Sequence, residues 1–180
     1  PLAGVSQYPG DSSLSRLRIP VQAGQQYHIQ LQGGAYGSQT LTLNLTGIAA
    51  ITDAAFGVRF APPEYFYVRP RANDNFASAA LVATRNSAGA LVYPSRFSAT
   101  SSAVGATRET NEPNSTGHGT VWFRWVAPAT GVATFEATGR TQNYGQYAPV
   151  IHVGQGTAAA NLPLAGVSQY PGDSSLSRLR

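Results

Sequence analysis

Apolar and polar residues alternate along most of this chain, in short runs bounded by Gly, Pro and Asn. That period of two is the pattern of half-buried β-strands. In the first run Leu17, Ile19 and Val21 share one face. In the next, Tyr27, Ile29 and Leu31 share one face, which leaves His28 and Gln30 to water, and Ala23-Gly24 makes the turn between the two. In QTLTLNLT, Leu41, Leu43 and Leu45 point inward while Thr40, Thr42, Asn44 and Thr46 point out. Three such runs in succession predict an antiparallel meander.

A second strand-rich block starts near Ala90 and carries SRFSATSSAV, TVWFRWV, GVATFEAT and APVIHV. In TVWFRWV, Val121, Phe123 and Trp125 fall on one face and Trp122, Arg124 and Val126 on the other. Large apolar groups on both faces predict a central strand, covered on both sides or flanked by a neighbour. Pro128 to Gly131 supplies a turn before Ala133, Phe135 and Ala137 resume the alternation. Only residues 74–83, DNFASAALVA, have a helical cast, with Asp74 available as an N-cap and Phe76, Ala80 and Leu81 spaced for one face of one or two turns.

Self-similarity reorganises this picture. The eighteen residues PLAGVSQYPGDSSLSRLR stand at 1–18 and again, unchanged, at 163–180, a period of 162 residues. Fixed-period identity is the signature of repeat architectures, so the chain reads as one full repeat plus an overlap, cut from a longer array. Domain boundaries then fall in the interior: residues 1–47 are the C-terminal half of one repeat, 48–70 a connector, and 71–180 the N-terminal part of the next. A chain that multiplies one unit with such fidelity is building length.

The connector, IAAITDAAFGVRFAPPEYFYVRP, is too apolar to hang in water. Burial of five or six such side chains, at about 1.5–3 kcal/mol each, offsets much of the entropy of ordering it. Phe56, Val58, Phe60, Tyr65, Phe66, Tyr67 and Val68 are therefore expected to form an inter-unit contact, as a strand docked on a neighbouring unit; the alternative is extra strands of their own domain.

Four segments carry a family resemblance: ANDNFASAALV, then GATRETNEPNSTGHGTVWFRWVAPATGVATFEATG, then YAPVIHVGQGT, then LPLAGVSQYPGDSSLSRLRIPVQAGQQYHIQLQG assembled across the repeat. The NDNF-like opening, the EP-containing loop, the W-x-x-W-like strand followed by AP-x-x-G, and a late strand ending in G-x-x-Y-x-I resemble the bacterial pre-peptidase C-terminal (PPC) domain family. The resemblance covers the repeat except residues 48–70. It implies an all-β fold, an antiparallel β-sandwich of jelly-roll type, used as an accessory module of secreted bacterial proteins. Where relatives commonly have an F-D-T-x-L-like strand, this chain has Tyr147-Ala148-Pro149-Val150-Ile151, so no role of that Asp carries over.

Composition narrows the chemistry. Charged residues make up 11 % of the chain, under half the usual share of about 25 %, and Cys, Met and Lys are absent. There is neither a disulfide framework nor a thiolate metal site, and no lysine amine for an intramolecular cross-link. The net charge of +4 comes from scattered Arg, without the basic run that marks a nucleic-acid binder. No stretch approaches the roughly 18 apolar residues of a membrane span.

The candidate polar site is Glu109, Glu112 and Asn114 with Asp74, oxygen ligands of the kind Ca²⁺ prefers. The alternative is that Glu112 shapes the loop before Trp122 by accepting hydrogen bonds. His28 and His152 sit on outward, solvated phases of their strands, His118 lies in the Gly117-His118-Gly119 loop, and none falls in a motif with Ser and Asp, so no catalytic residue and no enzyme activity are expected. The sequence therefore points to a structural repeat of an extracellular or cell-surface filament, stalk or giant adhesin, its partners adjacent copies of itself. The alternative is a module that binds carbohydrate, collagen or a cell surface through exposed residues such as Tyr8, Tyr36, Tyr144 and Tyr147.

Overall fold

A computed structural model describes residues 14–33, 39–49, 63–69, 72–110, 112, 119–141, 145–147, 149–159 and 164–167. The strands are β1 (Leu14–Val21), β2 (Gln26–Gln32), β3 (Gln39–Ala49), β4 (Glu64–Tyr67), β5 (Ala80–Leu81), β6 (Thr84–Arg85), β7 (Leu91–Val92), β8 (Phe97–Ser102), β9 (Thr120–Val126), β10 (Gly131–Thr141), β11 (Gly145–Tyr147), β12 (Val150–Gly154) and β13 (Leu164–Val167). A 3₁₀ turn forms at Phe76–Ser78, and among the described residues no helix is long and apolar enough to cross a membrane. The chain is all-β, as its alternation predicts.

Two sheets pack face to face as a β-sandwich. The first has the order β1-β10-β3-β8-β4, with β11 on the end of β10; the second has the order β13-β12-β2-β9-β5; β6 and β7 form a separate hairpin. The predicted inward faces all turn into the space between the sheets: Leu17, Ile19, Leu41, Leu43, Ala133 and Phe135 from the first, and Ile29, Leu31, Val121, Phe123, Ile151 and Val153 from the second are fully buried. Trp125 ties the layers together. Its ring lies 5.8 Å from that of Phe135, edge to face, and 6.3 Å from that of Phe97, an arrangement aromatic quadrupoles favour. Its indole N–H donates to Pro94 O at 2.9 Å.

The meander is corrected. Neither β1 nor β3 pairs with β2: β1 pairs with β10, β3 with β10 and β8, and β2 with β12 and β9. From β1 to β2 and from β2 to β3 the chain changes sheet. The turn at Ala23-Gly24 survives as a crossing between the layers, with Gly24 at φ 77°, a conformation that favours glycine. Each strand's pattern fixes which side is apolar but not which backbone it pairs with, so a hairpin and a crossover look alike in sequence.

β3 also runs beyond the expected boundary at 47. Its pairing with β10 slips between Thr134 and Phe135, where Gly47 takes φ 151°. This bulge adds one residue and brings Ile48, three positions after Leu45, back against the core.

Of the connector, Phe56, Val58 and Phe60 lie outside the described residues. Within this chain β4 runs parallel to β8 at the edge of the first sheet. Phe66 and Val68 pack against the core, while Tyr65 and Tyr67 stand 81 % and 76 % exposed on the opposite side.

The helical expectation at 74–83 is met by a single turn, with a different cap and extent. Only one 3₁₀ turn forms, its N-cap is Asn75 rather than Asp74, and Ala80 and Leu81 enter a strand parallel to β9. Pairing of Ala80–Leu81 with β9 takes residues a longer helix would need.

Candidate functional site

The outer face of the second sheet was expected to be wet along β2 and β12, and it is not. Gln30 and His152 are fully buried, Gln32 is 3 % and His28 5 % exposed, and on neighbouring β9 Trp122 and Thr120 are covered as well. The register sets His152, Gln30 and Trp122 side by side across three strands. A second layer covers them: Phe76 and Ala79 beside the 3₁₀ turn, Ala159, and the loop that carries Glu112. His28 stacks 4.2 Å from Phe76, whose ring meets Trp122 edge to face at 5.2 Å.

Glu112 is the centre of this layer. It is 5 % exposed, and its carboxylate is surrounded by donors. Oε1 accepts from Thr120 Oγ1 at 2.9 Å and Trp122 Nε1 at 3.2 Å, and Oε2 from Thr120 Oγ1 at 2.9 Å and Gln30 Nε2 at 3.1 Å. Burial pushes its pKa up, partly offset by the bonds from Thr120, the Glu109 backbone and Trp122.

The other acidic residues are also held by protein donors. Glu109 Oε2 accepts the backbone N–H of Phe76 at 2.6 Å. Asp74 accepts the Thr107 N–H at 2.6 Å and the Thr107 hydroxyl at 2.9 Å. Asn114 lies outside the described residues. Asp74, Glu109 and Glu112 thus staple residues 73–76, the loop at 107–112 and β9 together, and no group of three metal-capable side chains occurs among the described residues. Ca²⁺, whose shell draws on six to eight oxygens, typically several of them carboxylate, would have to compete at these carboxylates with the N–H and O–H donors they already accept from.

Asn73 was missed by sequence reasoning. It is fully buried; its amide donates to Trp122 O at 2.9 Å, its carbonyl oxygen accepts from Ser101 at 2.7 Å, and its backbone oxygen accepts from Trp122 N–H at 2.8 Å. It bonds the outer layer to both sheets. Gln30 and Thr120 were missed as well. The signal available for all three was Trp122: a tryptophan on the outward phase of a strand announces a covering layer, and polar neighbours on that face must then find partners inside it.

The histidines lie in the same layer. Burial lowers the pKa of His152 to about 4, and burial together with the positive charge of Arg124 lowers that of His28. Both are neutral at pH 7. Neither hydrogen-bonds to a Ser, Thr, Asp or Glu among the described residues, the relation a histidine base needs in order to activate a nucleophile. His118, Tyr8, Tyr36 and Tyr144 lie outside the described residues. The geometry is that of a clamp holding backbone segments. Its partners come from both ends of the sequence: Gln30 belongs to the first half and Glu112 to the second.

Compared with models of known protein families, with curated proteins and with solved structures, the chain matches none.

Proposed function

We propose that this chain is a structural repeat unit of an extracellular bacterial filament, stalk or giant adhesin, in which units follow head to tail and share strands. One observation carries the reading. In both sheets the strands of residues 14–49 interleave with those of residues 80–154: β10 lies between β1 and β3, and β2 between β12 and β9. Neither block closes a core alone. In an array of identical repeats, each block of one kind is flanked by two blocks of the other, and contacts of this heterologous type build open fibres.

The motif resemblance to PPC domains of secreted bacterial proteins supports an extracellular setting, as does a chain free of Cys and Met, the residues most easily oxidised. Electron microscopy of the native material tests the reading. Fibres with an axial period set by the 162-residue repeat are the expected result; a globular particle with no axial period would end it.

A second reading, a module that binds polysaccharide or another cell-surface ligand, is favoured by Tyr65 and Tyr67. Both stand exposed on one side of β4, at the end of rows that the register continues through Ser98 and Asn44 and through Thr100 and Thr42. Aromatic faces beside hydroxyl and amide groups suit sugar rings. Changing both tyrosines to serine would abolish retention on a glycan array under this reading and leave it unchanged under the first.

A further inference from the structure

The two copies of the eighteen-residue stretch have different fates. From the second copy, Leu164–Val167 forms β13 on the edge of β12, while from the first, Leu14–Arg18 opens β1 on the edge of β10. One sandwich thus draws on both copies. The segment 176–180, LSRLR, is identical to 14–18, so it carries the same Leu that β1 buries completely at position 17 and the same Arg that pairs with Glu136 from position 16.

The chain path points β13 at that slot. β13 runs antiparallel to β12, from Leu164 opposite Gly154 to Val167 opposite His152, and so heads for the start of β12. There the Ser15 hydroxyl at the beginning of β1 donates to Pro149 O, immediately before β12. Nine residue steps separate Val167 from Leu176. At about 3.3 Å per step they span roughly 30 Å, whereas the sheets of a sandwich lie about 10 Å apart. Since β1 stands at the edge of its sheet among the described residues, an incoming strand has to displace only one neighbour's pairing.

We infer that the β1 slot along β10 is an exchange joint with two identical claimants, Leu14–Arg18 and Leu176–Arg180, so that in an array each sandwich is finished by the repeat that follows it. The inference rests on the repeat-unit reading and adds its direction and its seat. The strand partner is a second copy of the same sequence, and the exchange leaves the first copy free to serve the preceding unit.

The absence of native cysteine makes the test direct. In the 180-residue chain, Glu136→Cys is combined with Arg16→Cys, with Arg178→Cys, or with Arg178→Cys and Leu17→Asp, and disulfides formed with oxidised glutathione are mapped by mass spectrometry. The Arg16 pair should link, the Arg178 pair should link in a minority of molecules, and Leu17→Asp, which disables the first claimant, should raise that minority to the majority. A link within one molecule and a link between two both support exchange, and dilution separates them. Failure of the Arg178 pair in both backgrounds, whether the Leu17→Asp chain folds or not, overturns the inference, as does failure of the Arg16 pair. Native fibres with the expected period but no Arg178 link would remove the exchange and keep the repeat unit; the link without fibres would do the reverse.

Discussion

Gln30 on β2 donates its side-chain amide to Glu112 at 3.1 Å, across 82 positions of sequence and between the two blocks that build the sandwich. Both residues are buried, so the bond works where water cannot replace it.

Truncation of Glu112 to Ala leaves Gln30, Thr120 and Trp122 with donors turned into a dry layer. Hydrogen bonds to a charged group contribute about 1.5–3 kcal/mol, and an unsatisfied buried partner costs about 1–3 kcal/mol. Glu112→Ala should destabilise the chain by about 2–4 kcal/mol in urea unfolding, and Glu112→Gln, which keeps an acceptor and sheds a buried charge, by less. Equal midpoints for Glu112→Ala and the parent would show that the clamp holds nothing.

His152 makes stability depend on acid. Its folded pKa of about 4 lies below the ordinary 6.5, so between these values the unfolded chain binds the proton and the folded chain does not. Stability is complete above pH 6.5 and declines as the pH falls toward 4, by up to roughly 3 kcal/mol at 1.36 kcal/mol per unit. His28, also lowered, acts in the same direction. Glu112, whose pKa is raised, acts in the opposite one: its contribution is present below the unfolded carboxyl value and lost as pH rises through the folded one. Urea midpoints at pH 7.5, 5.5 and 4.5 should fall in that order, and His152→Leu should flatten the decline.

A methyl group has no room at Gly119. Its Cβ would run into the backbone carbonyl oxygen of Ala106, where Thr120 N–H bonds to Thr107 O and Gly33 N–H to Gly119 O. Gly119→Ala should lower stability by about 1–3 kcal/mol, visible as a depressed Tm, while the exposed Ser87→Ala in the β6–β7 turn should change nothing measurable.

Asp74, Glu109 and Glu112 already accept from protein donors, and Ca²⁺ would have to compete with those bonds. Millimolar Ca²⁺ or a chelator should leave Tm unmoved. A rise in Tm with Ca²⁺, lost in Glu109→Gln, would show that the loop rearranges around the ion.

Much of the acidic site was legible, though with another meaning. Residues 73–76, Glu109, Glu112 and Trp122 come together in the fold, and the carboxylates among them face amide, hydroxyl and indole donors. Nothing local to Glu112 distinguishes a carboxylate waiting for a cation from one already satisfied; that depends on Gln30, far away in the chain. His28 and His152 were read as wet for a similar reason, since a period of two identifies a strand's second face but not what lies over it.

The sequence by itself determined the all-β class, the inward residues of each principal strand and the duplication of the chain's ends, because alternation and identity are properties of neighbouring letters. Tertiary structure alone decided that β1, β2 and β3 divide between two sheets, that a second layer buries Gln30 and His152, and that one sandwich takes strands from both copies of the repeated stretch. Backbone donors and acceptors are the same on every strand, so partner choice comes from packing summed over the whole molecule, and no single segment contains that sum.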